Sequence, residues 1–209
     1  TGKHVLRYFT DLAVLAGVRI GDEKPEFFLT REDEEKARRC LEAARIAGGT
    51  RFLALAPGGG ESWGKDAHFK RWSPTYFAAA ADGLAGDLRF SHVVVLGSSR
   101  ERSLGDELLS SLKTPAVNLA GELSLRECAA VLARSLFLLC NDGGLVHIAR
   151  ALEVPLVALY GPVDEKIYGP HPPSARYLVL GREGLDCRPC YQNFRYNAAC
   201  PHRECLTRF

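Results

Sequence analysis

The apolar positions of this chain change rhythm at short intervals. Residues 52–56 (FLALA), 92–96 (HVVVL), 116–119 (AVNL), 136–140 (LFLLC) and 154–160 (VPLVALY) are short runs dense in Val, Leu and Phe. That is the pattern of strands buried on both faces. Between them lie stretches of helical spacing at 72–84, 101–112, 124–133 and 145–152, and residues 177–180 predict a last strand. Local signals agree with this division. Ser73-Pro74 supplies an N-cap and a first-turn proline, and Ser124 with Glu127 has capping-box spacing. Upstream, residues 4–17 predict an amphipathic helix capped by Gly17, and residues 21–29 a proline-bearing linker. Thr30 opens a charged helix over 31–47, acids first and bases later, that stops at Gly48-Gly49.

Strand and helix alternating in this way predict an α/β fold with a doubly wound parallel sheet. Ligands of such sheets bind at the carboxyl ends of the strands. Glycine-bearing segments follow each predicted strand: Pro57 to Gly60, Gly97 to Ser99, Gly121, Gly143-Gly144 and Gly161. They are expected to gather on one edge.

Two of these turns suit an anion. Asn141-Asp142-Gly143-Gly144 leads from a strand into a helix, so its N–H groups and the helix N-terminus point at one place, with Asp142 and His147 beside it. Pro57-Gly58-Gly59-Gly60 lets a ligand approach the backbone closely. No Gly-Lys-Ser/Thr follows, so it is not a Walker loop, and no Gly-x-Gly-x-x-Gly opens a helix, so an NAD site is not indicated. Lys70, with Lys65 as a rival, is placed to neutralise phosphate charge; the plain alternative is a surface loop with solvated lysines. Glu101 is placed either to hold a ribose or simply to favour a helix N-terminus. Asp142 has the parallel alternative of a helix cap.

Composition narrows the picture. The chain has 209 residues, 46% hydrophobic and 25% charged, enough for one sizeable domain. A net charge of +2 argues for neither nucleic acid nor a membrane surface as partner. No apolar run approaches the roughly 20 residues of a spanning helix. With no methionine and Thr1 at its start, the chain is expected to be a fragment or a processed chain. Of seven cysteines, Cys40, Cys128 and Cys140 sit in periodic apolar segments. Cys187, Cys190, Cys200 and Cys205 crowd the end. Those four are read as a structural zinc site with His202 to spare, or else as free thiols or occasional disulfides, and the odd total fits a reducing cytoplasm. Tyr191, Phe194, Arg195 and Tyr196 between them are candidates for an interface.

The segment from Asn141 to Pro162 resembles the nucleotide-sugar segment of glycosyltransferase family 9, the ADP-heptose:lipopolysaccharide heptosyltransferases. Asn141, Asp142, Gly144, His147, Gly161 and Pro162 stand in the family's motif positions, and Gly143 departs where Ser or Thr is usual. Lys70-Arg71-Trp72-Ser73-Pro74 is similar to the family's Lys-Arg-Trp-Pro with one insertion. The resemblance implies a Rossmann-like sheet forming the C-terminal half of a GT-B enzyme. Residues 1–29 would be the end of an N-terminal domain and a linker, 30–180 the nucleotide-sugar domain, and 181–209 a Cys-rich segment. It implies diphosphate contacts from Gly58, Gly59, Lys70, Gly143 and Gly144. Ribose and base contacts would come from Glu101 and Gly121, and Asp142 and His147 would lie near the sugar. The implied activity is inverting transfer of heptose from ADP-heptose to a lipopolysaccharide core, without a catalytic metal, the general base lying in the N-terminal domain. The fragment alone would then bind donor without turnover. The implied setting is cytoplasmic, at the inner face of the inner membrane. A UDP- or GDP-sugar enzyme half and a non-catalytic nucleotide-binding module remain the alternatives.

Overall fold

A computed structural model describes residues 2–21, 24–192, 195–196, 200 and 202–207. Six parallel strands form one sheet: β1 (Phe52–Ala56), β2 (His92–Val95), β3 (Ala116–Asn118), β4 (Leu138–Asn141), β5 (Leu156–Tyr160) and β6 (Tyr177–Gly181). Their order is β3-β2-β1-β4-β5-β6. The chain therefore runs outward in one direction, returns to the middle, and runs outward in the other. β1 and β4 meet where the order reverses, in register Ala54 to Leu138 and Ala56 to Cys140. A crevice opens at the carboxyl ends of two such strands, because their following connections leave in opposite directions.

Both faces are covered, as the apolar runs predict. Ala54, Ala56, Val94, Leu138, Cys140 and Ala158 face one core with helices α2 (Arg31–Ala43), α5 (Leu125–Leu132) and α6 (Gly144–Ala151). Leu53, Leu55, Val93, Val95, Leu139 and Leu159 face the other with α3 (Pro74–Leu88) and α4 (Arg102–Ser111). Phe77, Leu108 and Leu138 are fully buried. Helix α1 (Val5–Leu15) precedes this unit and buries none of its residues. It ends as its glycine predicts: Gly17 has φ +81°. Its N–H donates to Val14 O, and that of Val18 to Ala13 O.

Two elements differ from expectation. Helix α2 stops at Ala43, not 47, because Arg45 takes φ +62° and the N–H of Ile46 turns back to Leu41 O. Ile46 and Leu41 are both buried. The apolar contact that accompanies this type of helix stop outweighs the glycine pair downstream. The loop before α3 contains a 3-10 helix, Gly64–Lys70, with Ala67 and Lys70 buried. The short helix α7 (Glu165–Tyr168) joins β5 to β6, and beyond β6 come β7 (Tyr191–Gln192), β8 (Arg195–Tyr196) and the short helix α8 (Glu204–Thr207). Leu206 of α8 is 1% exposed and fills the space against Gly161. The tail is thus part of the core and not an appendage.

One clamp joins α2 to α5. Thr30 and Asp33 form a capping box, and Arg126 of α5 reaches the same Asp33 carboxylate at 2.7 Å. Its guanidinium also donates to Phe28 O, tying down the segment before α2. The Arg126 guanidinium, then the Thr30 donors, hold the Asp33 carboxyl far below its ordinary 3.8. A carboxyl depressed on folding stabilises above its unfolded pKa and loses that contribution as pH falls. Asp33→Asn is expected to lower the thermal midpoint at neutral pH, and the gap to the parent should narrow as pH falls below about 4. Melts across pH check this; a gap constant with pH would show that the charge is not what matters.

Candidate functional site

The turns after β1 and β4 come into direct contact. A Cβ on Gly143 would lie 2.8 Å from the carbonyl carbon of Gly59, and one on Gly59 would lie 3.1 Å from Asp142 O. Gly59 also has φ +78°, which a side chain would oppose. Asn141, 1% exposed at the end of β4, fastens the pair. Its Nδ2 donates to Pro57 O at 2.6 Å, and its Oδ1 accepts from the Trp72 N–H at 3.0 Å. The neighbours of Trp72 act alongside it. Arg71 Nε donates to Gly58 O at 2.8 Å, and Lys70 Nζ lies 2.7 Å from Asp142 Oδ2. Three consecutive side chains or backbone groups thus lace one turn to the other.

Lys70 is not the solvated lysine that a surface loop would hold. It and Asp142 are 7% and 8% exposed at the side chain, and Nζ sits 5.2 Å from the centre of the Trp63 ring. Trp63 stacks on Tyr191 at 4.7 Å, and Tyr196 stacks on Phe69 at 4.6 Å. The aromatic tail residues therefore roof the lysine loop. Phe194, grouped with them as an interface candidate, lies outside the described residues. Lys65, the rival, makes no contact with Asp142 among those described.

Beside the two turns lies a cavity of about 310 Å³. Gly58, Gly59, Gly60, Gly143 and Gly144 form its floor and Leu96, Leu123, Leu125, Cys128, Leu145 and Ile148 its apolar walls. Glu101 lies at its edge, 6% exposed. One carboxylate oxygen accepts from the Gly60 N–H at 2.8 Å, the other from the Ser98 N–H at 2.9 Å. Each oxygen keeps a lone pair. Gly58 is needed for this, since a Cβ there would fall 2.0 Å from Glu101 Oε1. The helix-start alternative for Glu101 also holds, because Ser98 and Glu101 form a capping box. Gly121 does not line the cavity. With φ +80° it packs on Ser99 behind the wall, and Leu123, Leu125 and Cys128 stand where it was expected.

On α6, Gly144 faces open space and the exposed His147 follows one turn later. Although the residue as a whole is exposed, partial desolvation pushes its pKa below the ordinary 6.5. Asp142 opposes the shift, and His4 and Lys70 add to it. Tyr160, fully buried at the end of β5, donates to Tyr168 O at 3.1 Å. Burial first and the nearby Asp142 second hold its phenol protonated well beyond the usual range.

The structure gives no support to a zinc site on the four terminal cysteines. Among the described residues no three His, Cys, Asp or Glu side chains are grouped to hold a metal ion. Cys187 is exposed, whereas Cys205 is a core residue whose thiol burial pushes up to about 11. Arg188 does the anchoring instead: its Nε donates to Gly161 O at 2.6 Å, and it pairs with Glu165. Sequence reasoning missed this role, and Asn141 as a fastener, because each depends on a partner far along the chain.

A family model described as glycosyltransferase family 9 (heptosyltransferase) matches residues 2–197. The chain belongs to glycosyltransferase family 9. Lipopolysaccharide heptosyltransferase 2 of Salmonella typhimurium is 36% identical over 115 residues, 53% of this chain and 32% of that protein. The solved Escherichia coli ADP-heptose LPS heptosyltransferase II aligns with a TM-score of 0.63 at 26% identity, covering 79% of this chain and 50% of that one. A family 9 protein of Veillonella parvula shares the fold with a TM-score of 0.73 at 23% identity, over 86% of this chain and 49% of that one. This chain thus spans half or less of the length of these relatives. Gly143, with no Cβ, lets the two turns close on each other.

The buried pair yields a direct test. Removing one partner of such a pair leaves an uncompensated charge, destabilising by roughly 3–5 kcal/mol, whereas apolar replacement of both is tolerated. Asp142→Ala should therefore lower unfolding free energy in urea by about that amount, and Asp142→Leu with Lys70→Met should recover most of it. Equal losses in both variants would show that packing, not charge, sets the effect.

Proposed function

We propose that this chain is the donor-binding part of an inverting heptosyltransferase that moves heptose from ADP-heptose to a lipopolysaccharide core. The observation that carries this reading is the cavity at the β1–β4 crevice. It joins an apolar slot, a carboxylate with spare lone pairs and a glycine floor at a helix N-terminus. Such a slot suits a purine, such a carboxylate a pair of ribose hydroxyls, and such a floor a diphosphate. In this reading Leu123, Leu125 and Ile148 flank the base and Glu101 accepts from the ribose. Gly58, Gly59, Gly143 and Gly144 present N–H groups to the phosphates, and Asp142 and His147 border the sugar.

The reaction would form a bond from an acceptor hydroxyl to the anomeric carbon while the bond to the diphosphate breaks. Charge then builds on the departing diphosphate, where fixed N–H dipoles and an ammonium stabilise it without reorganisation. Lys70 supplies the ammonium by shifting from Asp142 towards the phosphates. Asp142 thereby holds the lysine in place until donor arrives. The general base belongs to a preceding domain, with residues 1–29 its end and linker, 30–180 the donor domain and 181–209 the tail that roofs Lys70. No helix among the described residues is long and apolar enough to cross a membrane. We place the enzyme in the cytoplasm, meeting its acceptor at the inner face of the inner membrane.

Calorimetric titration with ADP, UDP, GDP and NAD tests this directly. Selective ADP binding is expected, and Lys70→Ala should weaken it by about tenfold or more, some 1.4 kcal/mol. Preference for UDP or GDP would move the chain to another nucleotide-sugar class. Unchanged ADP affinity in Lys70→Ala would remove that lysine from the phosphate role.

A further inference from the structure

Helix α6 carries a second feature beyond the donor cavity. Positions three apart share a helix face, so Gly144, His147 and Arg150 form one line. Arg150 is 5% exposed, and its Nε–H is buried with no acceptor. Its guanidinium lies 5.3 Å from the centre of the Tyr177 ring, and among the described residues it forms no ion pair. The nearby Glu153 is bonded to Lys24 and faces Arg150 only at longer range. A guanidinium does not deprotonate in proteins, so this is a buried charge short of partners.

Arg150 faces a cavity of about 270 Å³ between α1 and α6. His147, His4, His171, Phe9, Pro25 and Gly169 help to line it, and no acidic side chain does. His4 is already committed: Nε2 donates to Gly169 O at 3.0 Å, Nδ1 accepts from the Leu6 N–H, and the ring stacks on His171 at 4.3 Å. His4 and His171 are therefore walls, and the donors turned to the cavity are Arg150 and His147. An orphaned buried donor beside an open cavity without carboxylates calls for an acceptor from outside.

We propose that this cavity is a second anion site, taking a phosphate or carboxylate group on Arg150 with His147 at its border. Six residues of helix separate Gly144 from Arg150, about 9 Å of rise. A diphosphate seated on the Gly143–Gly144 turn does not span that distance, so the anion belongs to a different molecule. Resting on the donor reading above, that molecule is the acceptor, its acidic group held on the far side of the transferred sugar. The anion site itself does not depend on that reading.

The test follows the Arg150 Nε–H and His147 ring signals by NMR during separate titrations of inorganic phosphate and of acetate into the whole chain. Each is repeated with excess ADP. Saturable shifts of both signals are expected, preserved with ADP present. Arg150→Gln and Arg150→Lys should abolish or weaken the His147 response by about tenfold while leaving ADP affinity unchanged. The stronger of the two titrations identifies the acidic group. An Arg150 signal that does not move, or that ceases to move once ADP is bound, overturns the site. So does a His147 response that survives Arg150→Gln. If ADP fails to bind while phosphate or acetate still shifts Arg150, the anion site stands and the donor reading falls.

Discussion

Everything at the ligand edge depends on the contact between two glycine turns, Gly59 after β1 and Gly143 after β4. The sheet places the ends of β1 and β4 side by side. Backbone then meets backbone with no room for a Cβ at Gly143, and at Gly59 a positive φ and a tight contact oppose one. Close contact of this kind aligns the N–H groups of both turns on one small region, but it also creates polar groups that must be satisfied. Asn141 answers most of that demand from one buried amide, and Lys70, Arg71 and Trp72 supply the rest. Loosening any of these would not merely remove a contact. It would let the floor of the cavity open.

The charge arrangement follows from the same contact. Asp142 lies at the tip of the β4 turn and is 6% exposed, so its carboxylate requires a cation. Lys70 reaches it from a 3-10 helix that the aromatic tail holds shut through Trp63, Phe69, Tyr191 and Tyr196. The tail in turn is fixed by Arg188 on the β5 turn and Leu206 in the core. Residues that are more than a hundred positions apart thus set the placement of one lysine. On the proposed donor reading, a cation kept buried beside the two glycine turns is placed to neutralise a leaving diphosphate.

The face of α6 extends this logic outward. Its N-terminus carries the bare N–H groups of Gly143 and Gly144, its middle His147 and its far end Arg150. Hydrogen-bond donors therefore run along the helix from the glycine turn to the cavity beside α1. Helix α1 itself exposes Tyr8, Phe9, Leu12, Val14 and Leu15, in contrast to the well-filled layers on either side of the sheet.

Much of this was legible in the chain. Strands buried on both faces read as continuous apolar runs, and helices read by their spacing and caps, because those signals are local. Ser124 with Glu127 and the stop at Gly17 stand as the sequence predicts. The glycine turns, Glu101, Asp142 and His147 were also apparent, since strand–turn–helix order alone brings them to one edge. Local signals failed where a distant partner decided the outcome. Helix α2 ends early because Ile46 finds a buried contact, and Gly121 gives way to Leu123 at the cavity wall because it must pack on Ser99. Cys205, read from its spacing as a metal ligand, is buried in the core. Lys70 was visible as a cation near the glycine turns, but its pairing with Asp142 under an aromatic roof depends on burial. Burial is a property of the whole assembly of layers and no residue carries it alone, so only the tertiary structure decided which charges face each other and which are left, like Arg150, without an answering group.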